Sequence, residues 1–187
     1  MTERPAPATP TWNLLVTSLE GQRESLLYGL RKLARFRRGG FPNVLVAKVD
    51  DPRAFLDQLH EAHDRMAMIR GGLGKAIPME RTVRFGGPET FVDDVVAVLE
   101  PLLDRIAGRT FFARVFRRGF RGTLDSTTAE GEIGARLVAL LEARGERPKV
   151  SFRDADVVVS VETLRDELGV ALLDRDLRAA HPFVRVR

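Results

Sequence analysis

Two spacings of apolar residues alternate along this chain, and that alternation limits its fold more than any single motif. Short runs rich in valine, leucine or phenylalanine stand at 12–18 (WNLLVTS), 43–49 (NVLVAKV), 110–117 (TFFARVFR), 157–162 (VVVSVE) and 168–173 (LGVALL). Their length and content suit strands. Between them, apolar residues recur three and four apart, as on one face of a helix. Leu26, Leu30 and Leu33 do so within 22–35, and Phe55, Leu56 and Leu59 after an Asp51-Pro52 start. Phe91, Val95, Leu99, Leu102 and Ile106 mark a third helix over 91–106, and Ile133, Leu137 and Leu140 a fourth, ending near Gly145. Pro101 predicts a break in the third. Thr127 and Glu130 have the spacing of a capping box for the fourth. Strands interleaved with helices place the chain in the α/β (α+β) class.

The order over the first half is β-α-(β)-β-α-β, a small ferredoxin-like unit. MERTVRF at 79–85 is a candidate closing strand for it, and GGP at 86–88 marks a boundary. The expected organisation is a Pro/Ala/Thr tail at 1–11, a ferredoxin-like domain at 12–86 and a second domain at 88–187. RGGLGK at 70–75 fails as a phosphate loop: Ile69 takes the place of the first glycine, and Ala76 that of the Ser/Thr that would hold magnesium. It reads as a flexible loop. The start has no apolar signal region, and no run approaches the roughly 20 apolar residues of a membrane span. A cytoplasmic protein without a membrane partner is expected. Zero cysteines exclude disulfides, thiolate zinc sites and cysteine nucleophiles. His60 and His63 lie three apart in HEAH, which is not the HExxH of zinc proteases, and His181 stands far off in the sequence. No metal and no cofactor are expected, and no catalytic constellation is evident.

Charge points elsewhere. Of 30 basic residues only four are lysine, and the basic residues bunch at 31–38 (RKLARFRR) and 114–121 (RVFRRGFR), which suggests one positive face. Side chains alternate across a strand. Along 110–118, Phe111, Ala113 and Val115 therefore share the natural core face. Phe112, Arg114, Phe116 and Arg118 share the other. Arg117 falls on the core side but at the strand end, and Arg121 follows the turn at Gly119. Interleaved arginine and phenylalanine suit unstacked nucleic acid, with charge for phosphates and flat groups for bases. The same pattern suits a strand buried on both faces whose arginines pair with Asp or Glu of neighbouring elements. Composition alone leans slightly to the second reading.

TFFARVFRRG, TTAEGEIGARLVALLE with its Glu132 and Gly134, KVSFRDADVVVSVE and LGVALL together resemble the THUMP domain of tRNA-modifying proteins, in order and spacing. One departure stands in the turn before the valine-rich strand, where Ala155-Asp156 replaces the family's Pro-Asp. VLVAKVDDPRAFLDQL and KAIPME are similar to the middle strand, second helix and last strand of the ferredoxin-like partner usual in that family. The resemblance implies a THUMP domain with a small mixed sheet packed by helices. It also implies binding of the tRNA acceptor stem and 3′ CCA end. By this analogy Arg114, Arg117 and Arg118 are phosphate contacts; Phe112, Phe116 and Arg121 complete the candidate RNA-binding set. No motif of the family's methyltransferase, thiolation, deaminase or pseudouridine synthase domains is present. The chain most resembles the stand-alone members, such as the adaptor of tRNA cytidine acetylation. The expectation is a non-catalytic tRNA-binding adaptor working with a modifying enzyme supplied in trans. The alternative is a scaffold subunit of an RNA-modifying complex that does not itself bind RNA.

Overall fold

The computed structural model describes residues 10–186, so the expected tail lies, up to residue 9, outside the described residues. The first sheet has the order β2-β3-β1-β4, all antiparallel. Its strands are β1 (Leu14–Ser18), β2 (Arg37–Arg38), β3 (Val44–Ala47) and β4 (Leu73–Pro78), and its helices α1 (Arg23–Leu30), α2 (Phe55–Arg65) and the short α3 (Ala67–Arg70). Leu14, Leu15 and Val16 of β1 are all fully buried, so the central strand is covered on both faces. Asp51 opens the α2 region, its side-chain oxygen accepting from the backbone N–H groups of Arg53 and Ala54. The segment expected to be a loop at 70–75 instead enters β4, and Lys75 there is buried.

The second sheet has the order β5-β9-β8-β6-β7. It comprises β5 (Arg81–Arg84), β6 (Thr110–Phe116), β7 (Lys149–Val150), β8 (Val157–Leu164) and β9 (Glu167–Asp174). It is mixed, as expected: β6 runs parallel to β7 and β8, while β9 is antiparallel to β8 and β5. The MERTVRF strand does not close the first unit. Arg81–Arg84 pairs with β9 at the edge of the second sheet, and β4, which contains the KAIP of KAIPME, takes the closing place. Helix α4 (Phe91–Leu99) breaks at Pro101 into a 3-10 turn over Glu100–Arg105, as the proline predicts. Helix α5 (Ser126–Ala143) is capped by Asp125, which accepts from the Thr128 N–H, and not by the Thr127–Glu130 box. Glu130 is used elsewhere, as described below.

The second sheet is apolar on both sides. Phe111, Ala113, Val115, Val157, Val159, Val161, Val170 and Leu172 form one core with α4 and α5. The opposite set, Phe112, Val158, Ala171 and Leu173, belongs to the same cluster as the first unit's strands and helices. Gly169 permits the close fit: a Cβ there would stand 2.7 Å from the Trp12 ring. Asp156 bolts the far end of the sheet. Its carboxylate accepts from the Thr110 backbone N–H (2.9 Å), the Thr110 hydroxyl (2.7 Å) and Arg175 of α6 (Arg175–Ala180). The Thr110 hydroxyl and N–H, helped by Arg175, hold the Asp156 pKa at about 2.

The chain then returns to the first unit. The Phe183 carbonyl accepts from the Ala76 N–H at the β4 edge, and Phe183 and Val184 are buried. This return brings the three histidines together. His60 Nδ1 and His181 Nδ1 are 3.4 Å apart, the far nitrogen of His181 is 3.4 Å from Asp57, and the Phe183 ring contacts all three imidazoles. Among the described residues no group of three or more His, Cys, Asp or Glu could hold a metal ion. No described helix is long and apolar enough to cross a membrane.

Candidate nucleic-acid interface

The face of β6 proposed from sequence as the working face is the face that meets the first unit. Phe112 keeps only 6% of its surface and packs in the shared core, so it is withdrawn from any stacking role. Burying a phenylalanine this way stabilises the fold by roughly 1.5–3 kcal/mol. Phe116 is half-buried, and the Lys75 ammonium sits 3.3 Å from its ring centroid, which fills that face. Arg118 pairs with Glu162, a fully buried carboxylate that also accepts from Lys75 Nζ at 2.6 Å. Burial pulls the Lys75 pKa below its ordinary value; Glu162 partly offsets this, and Arg118 adds to the depression. Two cations sharing one buried carboxylate make this junction structural, and the charge of Arg118 is spent inside the molecule. Arg114 is also engaged, with Glu130 Oε2 at 3.2 Å, and Glu130 Oε1 accepts from the Val115 N–H on the open strand edge. The reading in which the β6 arginines pair with acids of neighbouring elements therefore holds for Arg114 and Arg118.

Beyond β6 the picture changes. Arg117 donates to the Gly119 carbonyl, closing the RRG corner, and Arg121 is exposed with no side-chain partner among the described residues. This corner rests on the tight β8–β9 hairpin. The Arg165 N–H donates to the Arg118 carbonyl (3.0 Å), and the Thr163 hydroxyl accepts from the Arg118 N–H (2.7 Å). Gly119 adopts φ 105° with its Cβ position 3.3 Å from Arg165 Cα, a fit only glycine allows. Arg165 itself is held at φ 56°, unusual for so bulky a residue.

From this hairpin Arg165 projects toward the other basic run. Its guanidinium lies 3.8 Å from the position a Cβ on Gly40 would take. Arg37, Arg38, Arg84 and Arg165 line one cleft of about 300 Å³ between the two units, together with Asp166 and Glu167. Four guanidiniums face two carboxylates. Arg84 pairs with both acids, and Glu167 also accepts from Trp12 Nε1 at 2.7 Å. Arg38 is paired with Glu24 on the exposed surface; among the described residues, the Arg37 side chain donates only to the Thr11 hydroxyl and the Arg165 guanidinium has no partner. The cleft thus carries excess positive charge from planar donors that match phosphate oxygens in pairs.

The structure therefore sets the 31–38 run against Arg165, on whose hairpin the RRG corner rests, while the 114–121 run itself does not line the cleft. Arg165 sits in the acid-rich stretch RDE at 165–167, where a charged turn reads as solvated. Arg37 and Arg38 were visible only as part of a charge run.

No protein-family model matches the chain, and no curated protein matches it. Solved structures do share its fold. PH1313 from Pyrococcus horikoshii superposes with a TM-score of 0.55 at 13% identity, over 85% of this chain and 53% of that one. TrmN from Thermus thermophilus gives 0.52 at 18% identity, over 85% and 44%. A 4-thiouridine synthetase solved as an RNA complex with bound ATP gives 0.51 at 15% identity, over 85% and 40%. These likenesses support a THUMP-like fold. The chain spans about half or less of the length of the proteins it resembles.

Proposed function

We propose that this chain is a non-catalytic tRNA-binding protein that holds the acceptor stem and 3′ CCA end and presents the tRNA to a separate modifying enzyme. The observation that carries the reading is the arginine cleft, where Arg37 and Arg38 of one basic run meet Arg84 and Arg165 across the two units. Arg37 and Arg165 offer guanidiniums to phosphates there, with Arg117 and Arg121 on the adjoining corner. Similarity in fold to a synthetase solved with RNA supports RNA as the class of ligand.

The test is binding of intact tRNA, and of tRNA lacking CCA, across a salt series. Intact tRNA should bind more tightly. The log–log salt slope should be about −0.7 to −0.9 per phosphate neutralised. Flat salt dependence, or indifference to the 3′ end, overturns the reading. Turnover of tRNA by the isolated chain would show an enzyme instead.

A further inference from the structure

Four large hydrophobic side chains are exposed among the described residues: Leu19, Tyr28, Val150 and Phe152. Two of them wall one slot. It has a volume of about 270 Å³ and lies between the open edge of β6 and helix α5, lined by Phe112, Ala113, Gly131, Gly134, Val150 and Phe152. The edge is open because β7 pairs with β6 only at Thr110 and Phe111. The slot is open because α5 presents glycine to it: apart from the helix's own neighbouring backbone, no atom lies within 4 Å of a Cβ built on Gly131 or Gly134. Phe152 is 70% exposed, and its ring stands 5.8 Å from that of Phe112.

The surrounding charge selects the occupant. Lys149 and Arg153 bracket Val150 and Phe152 in the chain, and both are exposed without a side-chain partner among the described residues. The Glu130 carboxylate lines the slot and carries Arg114 at its rim. An anionic chain suits the two free cations. An acidic peptide would set its own carboxylates against Glu130. A nucleobase has apolar faces for the slot, amino groups that donate to a carboxylate, and ring acceptors that take a guanidinium. The volume is below the roughly 300–1,000 Å³ usual for larger ligands.

We infer that this slot holds one unstacked base of a single-stranded RNA segment, with Phe152 as the stacking face and Lys149 and Arg153 on the flanking phosphates. The inference rests on the RNA reading above and extends it. It moves the aromatic platform from β6 to the adjoining strand and loop. At about 3.3 Å per residue, Ala113 and Arg118 are some 16 Å apart along the chain, so a few nucleotides reach from the slot to the RRG corner.

Two variants and a cross-link test this. A short single-stranded RNA carrying 5-iodouridine should photo-cross-link within the tryptic peptide 150–153. Phe152→Ala should weaken RNA binding roughly 5- to 100-fold. Gly134→Leu should fill the slot, block the cross-link and weaken binding similarly, without loss of thermal stability, since leucine is the better helix former. Cross-links elsewhere, with both variants at wild-type affinity, overturn the slot and leave the RNA reading standing. Loss of a bound protein with RNA affinity unchanged also overturns it. Failure of the wild-type chain to bind any RNA removes both.

Discussion

The two arginine-rich runs of this chain have the same chemistry and opposite fates. Along β6 and just past its end, Arg114 and Arg118 are paired with Glu130 and Glu162, and Phe112 lies in the core. At the first sheet's edge, Arg37 and Arg38 are exposed and line a cleft; Arg38 pairs with Glu24 at the surface, and Arg37 meets no acid among the described residues. The difference comes from neighbours. Strand β6 is second from the edge of a sheet covered on both faces, whereas β2 is a two-residue edge strand. Density of charge in a sequence says where cations are; only the packing says whether they are still available to a ligand.

The sharpest way to break this contrast is at Glu162. Glu162→Gln leaves Lys75 and Arg118 facing each other without their shared carboxylate, and denaturant unfolding should show a loss of about 3–5 kcal/mol. A negligible change would mean that the β6 arginine is not structural. Next is the cleft. Arg37→Gln with Arg165→Asn removes two charges and keeps a residue that tolerates positive φ at position 165. Affinity for tRNA should fall about tenfold or more and the salt slope should drop by roughly one per lost contact, with unfolding unchanged.

Arg118→Ala then separates the two regions directly. It should cost about 1–3 kcal/mol of stability by leaving a buried acceptor short of a donor, and a tRNA-specific defect at full stability would reverse the contrast. The smallest effect expected is at the histidine cluster. Burial holds the His181 pKa below its ordinary value; Asp57 opposes this and His60 adds to it. The folded state thus binds a proton less readily than the unfolded chain. Stability should be full above about pH 6.5 and decline as pH falls below it. His181→Gln should flatten that part of the pH–melting curve; an unchanged curve would exclude His181 as the cause.

Much of this was written in the sequence. Period-two spacing separates Phe111, Ala113 and Val115 from Phe112, Arg114 and Phe116, and the structure divides them the same way. What spacing does not carry is the identity of the layer on each side. That depends on Glu162 and Lys75, 44 and 43 residues from Arg118, in strands brought together only by the fold. Glu130 was misleading for a related reason. Its spacing from Thr127 fits a cap, but Asp125 takes the cap, and the carboxylate serves a strand edge that local spacing does not reveal. Arg165 was hidden because a turn of alternating charge looks like plain surface. Phe152 stood in a quoted motif, KVSFRDADVVVSVE, but nothing local says that its ring is left outside.

The docking of the RRG corner on the β8–β9 hairpin has a thermodynamic consequence. Backbone bonds from Arg118 to Thr163 and Arg165 fix the corner's main chain before any ligand arrives. The conformational entropy of that segment is surrendered during folding, and little is left to lose on association. Binding at the cleft should therefore behave as a rigid-body encounter, with fast association that slows as salt is added and a small heat-capacity change.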